Sequence, residues 1–358
     1  MSVPADVVLA FLPRAGEFVS SPLGSGLIHK TLLVESSQGQ HVFQRLNADV
    51  FPDLELVMAN IAKVTDVMQR QDEPTLEFLP KDGGADYLCF DSEGGVWRCS
   101  VHHPQTTTFD IPPSPVHLIN AARAFARFGQ TLSRNKLSLH PTIVDFHHTP
   151  RRFQAMEKAW KTASDDRRSL PDYFAIRHAA NSFPEYELDG LLAPHVPQAV
   201  SHNDTKLNNC LFREGTDRVV CVIDLDTVME GSWLMDFGDL CRTSICPAPE
   251  DTDDLDEVVI DMARFRALVE GYSEVLQDTV SSEEIDRMVY SVFLLTYELA
   301  LRFFTDYLQN DRYFGAKYPG HNLVRTRSQL TLALKVTAQR EAMENIVKEA
   351  FVGKRSPA

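Results

Sequence analysis

Ser201-His202-Asn203-Asp204-Thr205-Lys206-Leu207-Asn208-Asn209 sets out an H-x-D-x-K-x-x-N pattern, and an apolar run further on ends in Ile223-Asp224-Leu225-Asp226. These are the residue types that phosphoryl transfer needs. One carboxylate orients and deprotonates a hydroxyl, while an amide and a second carboxylate hold magnesium beside the transferred group. Asp204 is the candidate base, because an acceptor hydroxyl needs a carboxylate within hydrogen-bond reach on a rigid loop. An isolated Asp is more often a cap or a surface carboxylate; its setting decides. Lys206 either carries its ammonium to the transferring phosphoryl or is a solvated lysine. His202 reads as a packing residue of the loop.

Asn209 and Asp224 are the expected magnesium ligands. Between them, Cys210-Leu211-Phe212 and Val219 to Ile223 flank the turn Glu214-Gly215-Thr216-Asp217, a hairpin pattern that returns its end beside its start. That closure makes the combined signal far stronger than H-x-D-x-x-x-x-N alone. Asp226 is either an outer metal contact or the cap of the next turn. Asp236-Phe237-Gly238 spells another kinase motif, yet it follows a turn and not a strand. Asp224 keeps the required spacing, and Asp236 is expected to brace the loop from a helix start.

Gly24-Ser25-Gly26 lies between two strand-like runs. Dinucleotide and Walker-type loops need a helix after the glycines, so those readings fail. A Gly-rich hairpin can drape its backbone over ATP phosphates. His29 and Lys30 follow directly, within reach of phosphate or substrate.

The elements that must carry these residues fall into two textures. Up to about residue 103 the chain reads as strand, glycine turn and strand (Phe18 to Val34), a strand (Gln40 to Leu46), a helix (Leu54 to Arg70) and two strands (Tyr87 to Phe90, Val96 to Val101). Beyond it, helices are expected over Val116–Leu137, within Arg152–Asn181, and from Asp254 to the end, with Phe293–Leu308 as a core helix. The expectation is an α+β fold with an N-terminal lobe over 1–103 and a larger helical C-terminal lobe over 104–358.

The bulk numbers agree with a globular enzyme. Of 358 residues, 44% are hydrophobic and 24% charged, ordinary values for a packed chain. The formal net charge of -15 argues against nucleic acid and against anionic membrane, both of which need a basic face. No signal peptide or membrane span stands out, and the six cysteines form no C-x-x-C pair. The expectation is a cytoplasmic protein with free thiols, monomeric or weakly dimeric.

At these residues the chain resembles the aminoglycoside phosphotransferase / choline kinase superfamily, and within it the N-acetylhexosamine 1-kinases. The resemblance runs through Phe43-Gln44-Arg45-Leu46-Asn47, Phe146-His147-His148-Thr149-Pro150, the catalytic segment, Ile223 to Thr227, Lys317-Tyr318-Pro319 and His321 to Arg327. It implies a bilobal protein-kinase-like fold. The implied activity is ATP- and magnesium-dependent phosphorylation of the anomeric hydroxyl of N-acetylglucosamine or N-acetylgalactosamine. It also implies sugar contacts at Arg302 and Tyr313. Tyr318 and Arg325 lie in the same polar and aromatic tail, a mixture that suits a neutral polyol pocket better than a cation cage.

Two departures stand out. Leu27 and His29 occupy positions where the relatives carry His and Asn. Gln44 stands where many kinases place the ATP-binding lysine, so Arg45 or Lys30 is expected to supply that charge. Two other readings compete: a kinase of another hexose, an amino alcohol or an aminoglycoside, and a catalytically dead kinase fold used for binding. Asp204, Asn209 and Asp224 together weigh against the last.

Overall fold

The computed structural model describes residues 2–24, 28–193 and 196–352. Alternation of apolar and polar residues builds the first sheet. Strands β1 (Phe18–Pro22), β2 (Lys30–Ser36), β3 (Gly39–Arg45), β4 (Cys89–Phe90) and β5 (Val96–Val101) pair antiparallel in the order β1-β2-β3-β5-β4. One face presents Leu32, Val34, Phe43, Trp97 and Cys99 to Val7, Val8 and Phe11 of helix α1 (Ala5–Phe11), forming a small core. The sequence reading missed α1, a helix too short for periodicity to reveal. The opposite face carries Gln44 and Arg98, which are direct partners in the β3–β5 register.

Helix α2 (Leu54–Arg70) begins where expected, with the Asp53 side chain accepting the Leu56 N–H. Its Val57, Ile61 and Val64 belong to the large core shared with the C-terminal helices, not to the small one.

After the short β6 (Thr106–Thr107), helices α3 (Pro115–Arg134), α4 (Thr149–Thr162) and α5 (Leu170–Ala179) lead to β7 (Ala199–Ser201). The hairpin β8 (Cys210–Arg213) and β9 (Val219–Val222) pairs beside β6, and β10 (Met229–Gly231) pairs with β7. Then come α6 (Trp233–Ser244), α7 (Met262–Leu276), α8 (Ser282–Asp286), α9 (Met288–Leu308), α10 (His321–Ala338) and α11 (Arg340–Val352). The architecture is the expected α+β arrangement, a sheet-rich N-terminal region followed by a helical one.

Helix α9 corrects one reading. By length and composition it would cross a membrane, yet all its residues except Arg302 and Thr305 are buried. It is the central helix of the large core, packed on α4, α6 and α10. The cysteines are free thiols, buried except for the half-buried Cys246.

Gly238, the glycine of the Asp236-Phe237-Gly238 motif, marks the α6–α9 crossing. A Cβ there would stand 2.5 Å from the Ser291 carbonyl oxygen. Alanine normally favours a helix over glycine by about 1 kcal/mol, but here it must displace backbone. Gly238→Ala should lower the thermal midpoint, at a cost of about 1–3 kcal/mol. A midpoint equal to or above wild type in calorimetry would show that the crossing tolerates a methyl group.

Candidate active site

The segment between β7 and β8 is held in place by buried polar contacts. His202 packs edge-on against Phe125 and Phe128, and its Nε2 meets the Ile223 carbonyl at 2.9 Å. Asn203 takes a left-handed backbone (φ 65°), unfavourable for a residue with a Cβ. Asp236, in the first turn of α6, compensates. Its two carboxylate oxygens accept the His202 N–H at 2.9 Å and the Asn203 N–H at 2.8 Å. Burial pushes Asp236 up to about 6 even so. Asp236 is thus the brace that its position suggested.

Asp204 leaves this frame toward the hairpin. Its Oδ1 pairs with Lys206 Nζ at 2.7 Å. The Asn209 amide donates to the Asp204 carbonyl at 2.8 Å and to its Oδ2 at 3.2 Å. Burial alone would raise the Asp204 carboxyl; the Lys206 charge and hydrogen bond outweigh it and hold it below the ordinary value. The carboxylate is therefore ionised at neutral pH and able to accept a proton.

The hairpin closes as its pattern implied. The Ile223 N–H donates to the Asn209 carbonyl at 2.9 Å, one step beyond the Cys210–Val222 pair. Asn209 and Asp224 thereby share one end of the hairpin. Asp224 is also left-handed (φ 61°). Its carboxylate has no hydrogen-bond or ion-pair partner among the described residues. Burial, then the charges of Asp226 and Asp204, push it up to about 7.

An unpartnered carboxylate crowded by two others is a site for a cation. The Asn209 NH₂ group is spent on Asp204, leaving the amide oxygen for a metal. Among the described residues no group of three or more His, Cys, Asp or Glu encloses a metal by itself. Magnesium suits such a half-built site, since it usually takes one or two carboxylates and completes its shell with phosphate oxygens and water.

Asp226 plays a different part from the outer metal contact considered for it. Arg98 of β5 grips both its oxygens, Nη1 to Oδ1 and Nη2 to Oδ2, each at 2.7 Å. Arg98 Nε donates to Gln44 Oε1 at 2.9 Å, and Gln44 Nε2 to Thr31 Oγ1 at 3.2 Å. His29 Nδ1 accepts the Asn47 N–H at 3.1 Å, while Nε2 stands 3.6 Å from Asp226 Oδ2. Burial would raise the Asp226 carboxyl; Arg98 and His29 outweigh it and keep it well below the usual carboxylate range. Asp226 is the anchor by which the first sheet holds the turn that follows Asp224.

The N-terminal candidates scatter accordingly. Gln44 is on the crevice face but serves Arg98. Arg45 is on the opposite face, 3.9 Å from Asp91. Lys30 is exposed at the start of β2, opposite Arg45 in register. His29, expected to touch substrate, is buried against Phe51 and Asp226. Gly24 has a left-handed backbone (φ 73°) with open space beside it; Ser25 and Gly26, with Leu27, lie outside the described residues. Sequence reading missed Arg98, although a charged residue inside the apolar run Val96–Val101 is the signal that marks it.

The tail residues do gather. Arg302 lies over Phe146 (5.3 Å), Tyr313 (5.9 Å) and Phe314 (5.3 Å), and Arg325 over Phe303 (4.2 Å) and Phe314 (5.8 Å). Arg325 pairs with Glu250, which pairs with Arg242, which grips Asp239. The Asp239 and Arg242 charges in turn act on Lys206, so the tail is electrically continuous with Asp204. The Tyr318 ring meets that of His321 at a tilt of 45°, and His321 meets Asp251 at 3.1 Å.

Residues 20–268 match the family model APH, described as the phosphotransferase enzyme family. Solved structures share the fold at low identity. An aminoglycoside phosphotransferase from Alicyclobacillus acidocaldarius superposes with a TM-score of 0.62 at 16% identity, covering 96% of this chain and 97% of its own. A microcompartment-associated aminopropanol kinase gives 0.67 at 13% identity, with 95% and 99% covered. A choline kinase from Streptococcus pneumoniae gives 0.56 at 14%, with 93% and 97% covered.

Breaking one side of a buried ion pair costs about 3–5 kcal/mol, whereas replacing both sides is often neutral. Arg98→Met should therefore destabilise strongly in chemical denaturation, and Arg98→Met with Asp226→Leu should recover most of the loss. Equal stability of the single and double variants would rule out the pair as an anchor.

Asp224 yields the opposite sign. Its folded pKa lies above the unfolded carboxylate value, so its charge opposes folding increasingly from about pH 4 to 7 and fully above. Without divalent ions, Asp224→Asn should melt higher than wild type at about pH 8, with the difference shrinking toward about pH 4. A variant that melts lower at both ends would mean that the crowding is relieved some other way.

Proposed function

The chain belongs to the phosphotransferase enzyme family, and we propose that it phosphorylates the anomeric hydroxyl of an N-acetylhexosamine, using ATP and magnesium, to give the sugar 1-phosphate. That it is a small-molecule phosphotransferase rests on the family match. The single observation that carries the reaction is the convergence of Asp204, Lys206, Asn209 and Asp224 at one end of the β8–β9 hairpin.

Asn209 and Asp224 are the residues that would hold magnesium. Bound with ATP, it would neutralise charge on the phosphate oxygens. Asp204, ionised and oriented by Asn209, accepts the acceptor's proton. An anomeric hydroxyl is more acidic than other sugar hydroxyls, so a carboxylate held below its ordinary pKa suffices in a loose transition state. Lys206 fixes the Asp204 carboxylate and presents positive charge beside the transferring group.

For the acceptor, the arginines of the tail support a neutral polyol. An ammonium acceptor needs an aromatic or acidic cage. Here the rings of Phe146, Tyr313 and Phe314 already surround the guanidinium of Arg302, which no carboxylate pairs among the described residues. Such a guanidinium donates hydrogen bonds to hydroxyl or acyl oxygens and repels a cation. The competing reading is an amino-alcohol acceptor, as the names of the aminopropanol and choline kinases suggest for those proteins.

The test is a panel of free sugars and amino alcohols with labelled ATP, with the phosphate position read by NMR. The expected product carries phosphate on C1 of an N-acetylhexosamine. Phosphate on C6, or choline or aminopropanol as the best acceptor, would overturn the sugar 1-kinase reading. Asp204→Asn should lower kcat by about 10²–10⁴ with the melting profile retained. Near-wild-type turnover in that variant would remove Asp204 as the base.

A further inference from the structure

His147 sits in the Phe146-His147-His148-Thr149-Pro150 motif, away from the nucleotide chemistry in sequence. It is buried between two elements of the site. Its Nε2 meets the Asn203 carbonyl oxygen at 3.0 Å, and its Nδ1 meets Glu298 Oε1 of α9, also at 3.0 Å. The second Glu298 oxygen accepts the Thr149 hydroxyl at 2.7 Å.

Both partners of the ring are acceptors. A neutral imidazole has one N–H, so it would set a lone pair against an oxygen at one of the two contacts. A ring protonated on both nitrogens satisfies both, and its charge compensates a carboxylate that is only 2% exposed. We propose that His147 is a positioning residue, an imidazolium that ties α9 to the Asn203 carbonyl and so fixes the peptide entering Asp204. This rests on the reading of Asp204 as the base.

The mechanical case is local. Asn203 is left-handed, and three ties hold it there. Its N–H goes to Asp236, its side-chain amide reaches the Ser201 and Thr227 carbonyls at 3.2 and 3.0 Å, and its carbonyl goes to His147. Among the described residues, the His147 contact alone restrains the carbonyl that turns directly into Asp204. Through Glu298 it also couples that peptide to the helix carrying Arg302, one turn further on.

The surrounding charges agree. Burial would lower the His147 pKa, but the Glu298 hydrogen bond and charge, with Asp239 of α6, raise it above its ordinary value. Burial would raise Glu298, and its contacts with His147 and Thr149 and the Arg302 charge lower it. Arg152 of α4 faces the same carboxylate. The proton therefore belongs on the ring and not on Glu298. A group with a raised folded pKa gives its full contribution below about pH 6.5 and loses it as pH climbs through the folded value. The clamp is lost on the alkaline side.

The test uses the full chain with nitrogen-15 labelled histidine. His147, assigned by the resonances that vanish in His147→Gln, should show both ring nitrogens protonated at about pH 7 and titrate above about pH 6.5. A singly protonated ring at about pH 7 overturns the proposal and needs no folded variant beyond the assignment. Glu298→Gln should move the alkaline limb of kcat to lower pH and reduce kcat about tenfold at about pH 8, leaving KM for ATP within about twofold. An unmoved pH profile also overturns it. If Asp204→Asn keeps its turnover while the His147 resonances behave as expected, the base assignment fails and the imidazolium stands.

Discussion

Three carboxylates, the half-buried Asp204 and Asp224 and the buried Asp226, crowd one end of the β8–β9 hairpin, and the rest of the site follows from how their charges are balanced. Like charges at close range in a low-dielectric setting are costly unless each finds a partner. Lys206 takes Asp204, and Arg98 takes Asp226 with both nitrogens of its fork. Asp224 is left over. The protein thus carries an uncompensated carboxylate at the end of the hairpin that it shares with Asn209, an arrangement that a divalent ion would relieve. On the proposed reading, metal affinity comes from leaving one charge unpaired, not from a ready-made cage.

Holding the leftover charge in place takes backbone that resists relaxation. Asn203 and Asp224 both sit in the left-handed region, a cost of roughly 1 kcal/mol or more each for non-glycine residues. The large core meets that cost. Asp236 grips the loop from α6, Gly238 brings α6 onto α9, and α9 sends Glu298 back through His147 to the same loop. The Arg98–Asp226 pair does the equivalent work from the first sheet. The catalytic segment is therefore tied to both cores, and a lesion in either should be felt at Asp204.

What was legible in the sequence was what is local. The hairpin could be read because its alternation and its Gly215 turn lie within a few residues of one another, and hairpin closure then dictates that Asn209 and Asp224 meet. Asp236 could be suspected from its place at a helix start. Arg98 with Asp226, and His147 with Glu298, are separated by 128 and 151 residues, and no pattern along the chain announces such pairings. The same limit explains Gln44. Sequence shows that the usual lysine is missing, and the nearest cations, Arg45 and Lys30, look like substitutes. Strand parity puts Arg45 on the wrong face, while the charge that does reach the crevice comes from the neighbouring strand. Helix α9 was legible as a core helix over Phe293–Leu308, although its length and composition alone would also suit a membrane, since burial in a protein core and burial in lipid select the same side chains.

On the acceptor side, the aromatic residues have a second consequence. A cage of Phe146, Tyr313 and Phe314 built around an internal guanidinium gives up the strongest route to binding an ammonium ligand. In exchange it holds a flat, rigid donor surface whose hydrogen-bond geometry is fixed before the acceptor arrives, which lowers the entropy lost on binding a polyol. Arg325 repeats the device on Phe303 and Phe314, and the chain through Glu250, Arg242 and Asp239 links it electrically to Lys206. Tyr313 is 59% exposed, with its backbone N–H fastened to Asp306 at 2.8 Å, so the ring is the outer wall of this surface and the part most open to an acceptor. On the proposed sugar-kinase reading, specificity follows from a cation already seated where other acceptors would bring their own.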